Sequence, residues 1–227
     1  MQKFSKKYNA FLFDLNGTII DDMQYHIIAW HRILNSLGAN ISVERTKEEC
    51  YGKNHELLER IFPGVYTDAE KDRMSFEKEK AYQEEFRPLL KGIKGFEDFL
   101  RTAYGEGIKT AVGSAAITFN IDFVLDGLHI RNLVDAIVSA DDVTNSKPHP
   151  ETFLKCAEML GISPTDCLVF EDAPKGVEAA QAAGMNCMVI TTMHSPEEFR
   201  SYQNIIGFIS DYKDQQLTRL LWQKEKV

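Results

Sequence analysis

A parallel α/β sheet carrying an inserted, wholly helical lobe is the fold class this sequence predicts, and three observations predict it. Short apolar runs recur along the chain, nearly continuous rather than alternating, which is how strands buried on both faces read. Helical periods separate most of them, and strand–helix alternation implies parallel strands joined by right-handed crossovers. One connection, from Asp21 to about Lys94, holds helical pattern without a convincing strand and is far too long for a βα loop.

The elements follow in order. The first strand lies in Ala10-Phe11-Leu12-Phe13-Asp14-Leu15. In the insertion, Ile27, Trp30, Leu34 and Leu37 share one helical face, and Leu57, Leu58, Ile61 and Phe62 share another. A third helix is expected within Thr67 to Phe86, its charged stretch from Glu77 to Glu85 a solvated face. Trp30 and Phe86 read as packing residues. Further strands are expected at Ile108 to Val112, Val134 to Val138, Cys167 to Phe170, Cys187 to Ile190 and Ile205 to Ile209. Glu151 to Leu160 sets Phe153, Leu154, Ala157 and Leu160 on one face, with Gly161 as the stop. Pro174 to Ala183 opens on a first-turn proline and closes at Gly184. The predicted boundaries are 1–20 with 95–227 for the α/β core and 21–94 for the all-α lobe. Open α/β sheets bind ligands at the carboxyl ends of their strands, where such a lobe is expected to sit.

Composition narrows the function. With 227 residues, 44% of them hydrophobic, the chain has ample apolar surface to offset the entropy of ordering. The net charge is −8 and the longest basic run near the N-terminus is Lys6-Lys7, which argues against a nucleic-acid partner. No stretch is apolar enough to span a bilayer, and the run that begins at Ala10 meets Asp14 too soon for a secretory leader. The cysteines, Cys50, Cys156, Cys167 and Cys187, form no CxxC pair, and Cys167 and Cys187 sit in apolar runs. A cytoplasmic protein, monomeric or weakly dimeric, without membrane attachment, is the expectation.

Four short segments stand at the carboxyl ends of predicted strands or in the loop beside them: Asp14-Leu15-Asn16-Gly17-Thr18, Gly113-Ser114-Ala115, Ser146-Lys147-Pro148 and Phe170-Glu171-Asp172-Ala173-Pro174. In a parallel sheet these ends gather on one edge, so three acids, a hydroxyl and a lysine are expected to converge. Each segment alone has an ordinary reading, Asp14 as a turn residue and Glu171-Asp172 as acids near a helix start. Together they suit phosphoryl transfer. A carboxylate is repelled by a phosphate ester unless a cation intervenes, and Mg²⁺ prefers oxygen ligands. Asp14, Glu171 and Asp172 can hold it, while Ser114 and Lys147 donate to phosphate oxygens.

In order and spacing these segments resemble the four motifs of the haloacid dehalogenase superfamily, β-phosphoglucomutase-like subfamily, whose helical cap is inserted after the first strand of a three-layer, Rossmann-like core. The resemblance extends over nearly the whole chain. It implies Asp14 as nucleophile forming an aspartyl-phosphate, and Ser114, Ala115 and Lys147 around the transferring phosphate. It also implies a Mg²⁺ site of Asp14, Glu171, Asp172 and the backbone carbonyl of Asn16, with a small phosphorylated metabolite, a sugar phosphate, as substrate. Tyr25-His26 matches a Tyr-His pair of the first cap helix, so His26, with Gly52 and His55, is expected to face substrate.

Two departures bear on turnover. The first motif usually reads Asp-x-Asp, its second Asp the general acid/base; here Asn16 holds that position, and an amide exchanges no proton near neutral pH. The expectation is a protein that binds phosphoesters and turns them over poorly, unless the leaving group is already good or another residue supplies the proton; partial conversion of Asn16-Gly17 to Asp by deamidation is a further hypothesis. The polar grip that the mutase keeps on a distal phosphate falls here on His55, Ala116 and Ile117, and its cap lysine on Tyr51, which demotes mutase activity beneath hydrolysis.

Overall fold

The computed structural model describes residues 8–221. Strands β1 (Ala10–Phe13), β2 (Lys109–Gly113), β3 (Ala136–Val138), β4 (Cys167–Glu171), β5 (Asn186–Ile190) and β6 (Ile205–Ile209) form one sheet. Its order is β3-β2-β1-β4-β5-β6, with every pair parallel. The order reverses beside β1, because the chain leaves β1 for β2 on one side and later returns to β4 on the other. That switch point opens a crevice at the carboxyl end of β1.

Alternation within β1 explains the layers. Phe11 and Phe13 turn to one face, where they meet Phe99 and Phe96 of α5 (Phe96–Gly105), together with Phe170 and Tyr212. Ala10 and Leu12 turn to the other, joining Phe153, Cys156 and Ala157 of α7 (Glu151–Leu160) and Val177 and Ala180 of α8 (Pro174–Ala182) in an aliphatic cluster. Each β1 side chain is at most 1% exposed. Helices on both faces of a parallel sheet make the Rossmann-like α/β core. Strand β1 is shorter than its apolar run, because Leu15 leaves the ladder and its carbonyl accepts the N–H groups of Ile19 and Ile20 in a tight turn.

Contacts divide the chain into two compact units, Asp22–Leu90 and the remainder of the described residues. The first contains α1 (Met23–Ser36), α2 (Val43–Glu49), α3 (Asn54–Ile61) and α4 (Asp68–Phe86) and no strand. Its apolar centre is small: Trp30, Leu34, Leu57 and Leu58, flanked by Ile33, Leu37, Ile61 and Phe62. Helix α4 starts at a capping box, where Thr67 Oγ1 accepts from Glu70 N at 3.4 Å and the Glu70 carboxylate accepts from Thr67 N at 2.8 Å. The solvated face expected from Glu77 to Glu85 is only half of that stretch. Glu77, Lys80, Glu84 and Glu85 are exposed, but Lys78, Glu79, Tyr82 and Gln83 are buried.

Candidate active site

Register builds the site before any side chain is considered. Phe13 lies beside Val112 of β2 and Phe170 of β4, and Gly113 lies beside Val138 of β3. The residues that follow, Asp14, Ser114 and Glu171-Asp172, therefore emerge along one edge of the sheet. Backbone bonds hold the first two in place: Asp14 N donates to Phe170 O and Ser114 N to Val138 O, both at 3.0 Å.

Asp14, Glu171 and Asp172 are buried, and each offers a carboxylate oxygen within 4.8 Å of the others'. Lys147 reaches them from the loop before α7. Its ammonium donates to Asp14 Oδ1 at 2.7 Å and to Glu171 Oε1 at 2.8 Å, and lies 4.5 Å from the centre of the Phe153 ring. The second oxygen of Glu171 accepts from the backbone N–H groups of Asp172 and Ala173, each at 2.8 Å. Burial, then the neighbouring charges of Glu171 and Asp14, push the Asp172 carboxyl well above its ordinary range. Burial pulls the Lys147 ammonium towards losing its proton, but Asp14 and Glu171 outweigh it and hold the pKa above the usual lysine value. Three carboxylates against one ammonium leave excess negative charge in a dry place. Oxygen ligands packed this closely fit a hard divalent cation.

Two glycines permit the packing. Gly17 has φ +76°, and a Cβ there would lie 2.1 Å from Asp172 Oδ2. A Cβ on Gly176, in α8, would lie 1.7 Å from Glu171 Oε1. Gly17 belongs to a motif visible in the sequence, whereas Gly176 carries no local signal and is explained only by the carboxylate resting on α8. Two further residues escaped sequence reasoning. Thr192 donates through Oγ1 to Gly17 O at 2.7 Å, bracing the turn after β1. Glu151, at the start of α7, accepts from Thr144 N, Asn145 N and Asn145 Nδ2 at 2.7–2.9 Å, ordering the loop that delivers Lys147. These hydrogen bonds lower its carboxyl to about 2.

The remaining sequence candidates are distributed as follows. Ser114 Oγ accepts from Ala116 N at 3.1 Å, and Ala115 lies between them in the same turn. Asn16 lies in the turn after β1, two residues beyond Asp14. His26, Gly52 and His55 belong to the helical unit. There His55 Nε2 lies 2.8 Å from Asp72 Oδ1, and both ring nitrogens of His26 are engaged, Nδ1 by Lys78 Nζ at 2.5 Å and Nε2 by Asp22 Oδ2 at 3.1 Å.

Known proteins with this fold and these motifs agree on the class. The family model for haloacid dehalogenase-like hydrolases matches residues 11–190, and the chain belongs to that family. It is 31% identical to the fructose-1-phosphate phosphatase YqaB of Escherichia coli, over 81% of this chain and 96% of that one. It is 33% identical to the β-phosphoglucomutase of Bacillus subtilis, over 78% and 80% of the two chains. A crystal structure of β-phosphoglucomutase from Clostridium difficile superposes with a TM-score of 0.77 at 29% identity, covering 88% of this chain and 90% of that one. The chain is thus an enzyme of this hydrolase family, with a function of the phosphatase or phosphomutase kind.

Proposed function

We propose that this protein is a Mg²⁺-dependent phosphoric monoester hydrolase that acts on a small phosphorylated metabolite, a sugar phosphate, through an aspartyl-phosphate on Asp14. The observation that carries the reading is the buried set of Asp14, Glu171, Asp172 and Lys147 at the switch point of the sheet. Asp14, Glu171 and Asp172 would hold Mg²⁺, which would supply the positive charge that lets an anionic nucleophile approach an anionic phosphate. Asp14 attacks phosphorus with a carboxylate oxygen, and Lys147 and Ser114 donate to the phosphate oxygens as charge spreads over them. Lys147 is already held against Asp14 by its two carboxylate bonds, so little reorganisation precedes reaction. We place the enzyme in the cytoplasm. Its four cysteines are free thiols, three of them buried, and no described helix is long and apolar enough to cross a membrane.

A panel of phosphoesters, assayed with and without Mg²⁺, tests this. Phosphate release that needs Mg²⁺ and disappears in Asp14→Asn is expected, and release that survives either change refutes it. Identity to β-phosphoglucomutase supports a second reading as a mutase. Interconversion of sugar 1- and 6-phosphates by the same material selects it. Tight phosphoester binding without turnover, reversed by Asn16→Asp, marks instead a catalytically weak binding protein.

A further inference from the structure

The turn after β1 is fastened to the α/β unit at successive carbonyls. Gly17 O accepts from Thr192 Oγ1 at 2.7 Å, Thr18 O from the Tyr212 hydroxyl at 3.1 Å and Ile19 O from Ile93 N at 2.8 Å. The first of these falls on the residue that touches the carboxylate cluster. Asp172 fills the space where a side chain would stand, since a Cβ on Gly17 would lie 2.1 Å from Asp172 Oδ2 and 2.5 Å from its Cγ. Thr192 follows β5 by two residues, and Thr191 N, just before it, donates to Ile209 O at 2.9 Å, so the hydroxyl stands on an anchored strand end. In the sheet, β4 lies between β1 and β5. The Thr192–Gly17 bond therefore joins the chain leaving β1 to the chain leaving β5, at the edge where Glu171 and Asp172 emerge from β4.

Lys147 ties Asp14 and Glu171 together through its ammonium, and the second Glu171 oxygen is held by two backbone N–H groups. Like charge from both carboxylates repels that of Asp172, and the Gly17 backbone is packed directly against it. We infer that Thr192 is a positioning residue: by holding Gly17 against Asp172 it keeps that carboxylate at the spacing from Asp14 and Glu171 that suits one divalent cation. The inference rests on the Mg²⁺-dependent phosphatase reading above and assigns Thr192 to the affinity for the metal, not to the reaction itself. Loss of its hydroxyl frees the Gly17 carbonyl to turn towards another donor, and Asp172 gains room to move away from its neighbours. Asp14 keeps its place, because its N–H is bonded to Phe170 O and not to the turn. The defect therefore belongs in the Mg²⁺ requirement, before it belongs in the handling of phosphoester.

Calorimetric titration of Mg²⁺ into the metal-free protein tests this. Thr192 is half-buried, and Thr192→Val keeps its shape while removing the donor. That variant should raise the Mg²⁺ dissociation constant about 10–100-fold. The Mg²⁺ concentration that gives half-maximal phosphate release should rise in step, and the deficit in rate should shrink as Mg²⁺ is raised. Thr192→Ser retains a hydroxyl and should recover the parent's affinity. Thr110→Val is the matched control, because Thr110 Oγ1, buried near the amino end of β2, donates to Leu133 O. The same chemical change is thus made away from the cluster, and Mg²⁺ affinity should not move. Parent-like affinity in Thr192→Val, an equal loss in Thr110→Val, or no recovery in Thr192→Ser overturns the inference and leaves the phosphatase reading standing. A parent protein that takes up no Mg²⁺ in the calorimeter and releases phosphate fully without it overturns that reading itself, and the inference with it.

Discussion

Two buried charge clusters, one in each unit, are built on opposite terms. In the α/β unit, Asp14, Glu171 and Asp172 face a single ammonium, and Asp172 is driven towards its neutral form. In the helical unit, Asp22 and Glu79 share their surroundings with Lys78, His26 and Tyr82, all of them buried. Lys78 donates to both oxygens of Glu79 at 3.0 Å and to His26 Nδ1 at 2.5 Å. Lysine only donates, so His26 carries its proton on Nε2 and gives it to Asp22. The Tyr82 hydroxyl donates to the same Asp22 oxygen, and its ring stacks on His26 with centroids 3.9 Å apart. Burial, then the Asp22 charge, keep the Tyr82 phenol far above its ordinary pKa. In the helical cluster Lys78, His26 and Tyr82 all donate to the two carboxylates, whereas the three carboxylates at the sheet edge share the one ammonium of Lys147. Buried carboxylates short of donors suit a cation, and carboxylates well supplied with them act as a fastening.

That contrast is open to measurement. The largest effect is catalytic: Asp14→Asn should cost on the order of 10⁴-fold or more in phosphate release, seen in a continuous phosphate assay. Next is Lys78→Met, which leaves the buried Glu79 carboxylate without its ammonium and should destabilise by about 3–5 kcal/mol in chemical denaturation. A loss below 1 kcal/mol would show that the helical cluster is no fastening. Smaller again is the response to metal. Mg²⁺ at about a hundred times its dissociation constant should stabilise by roughly 2.7 kcal/mol, read as a rise in melting temperature. Asp172→Asn should abolish that rise and, in metal-free protein, melt higher than the parent because a buried repulsion is gone. Lys78→Met should keep the metal response. The smallest effect concerns Glu151, whose folded pKa of about 2 lies below its ordinary 4.5. A depressed carboxyl stabilises fully above its unfolded value, and that contribution is lost as pH falls from about 4.5 to 2. Glu151→Gln should therefore flatten the fall in denaturation midpoint across that window.

The two clusters were not equally legible. The sheet-edge cluster announces itself because each member follows an apolar run, and in a parallel sheet the ends of such runs gather on one edge. Asp14, Ser114 and Glu171-Asp172 can be placed from that rule alone. The helical cluster is hidden in a stretch rich in Glu and Lys, where charge at helical spacing reads as solvated surface. Lys78 is bonded in the interior to a histidine 52 residues earlier, and Tyr82 to an aspartate 60 residues earlier. Gly176 and Glu151 were missed for a related reason, since the first makes room for a carboxylate from β4 and the second orders a loop through backbone N–H groups.

Local chemistry decided the strands, the helical insertion and the edge on which the reactive groups stand, because hydrophobic period and turn residues act over a few positions of chain. Tertiary structure decided which charges share a few ångströms of dry space. Lys147 meets Asp14 across 133 residues, at a distance set by sheet register and by glycines that leave room. Electrostatic energy at that range changes steeply with position, and position is a property of the packed chain.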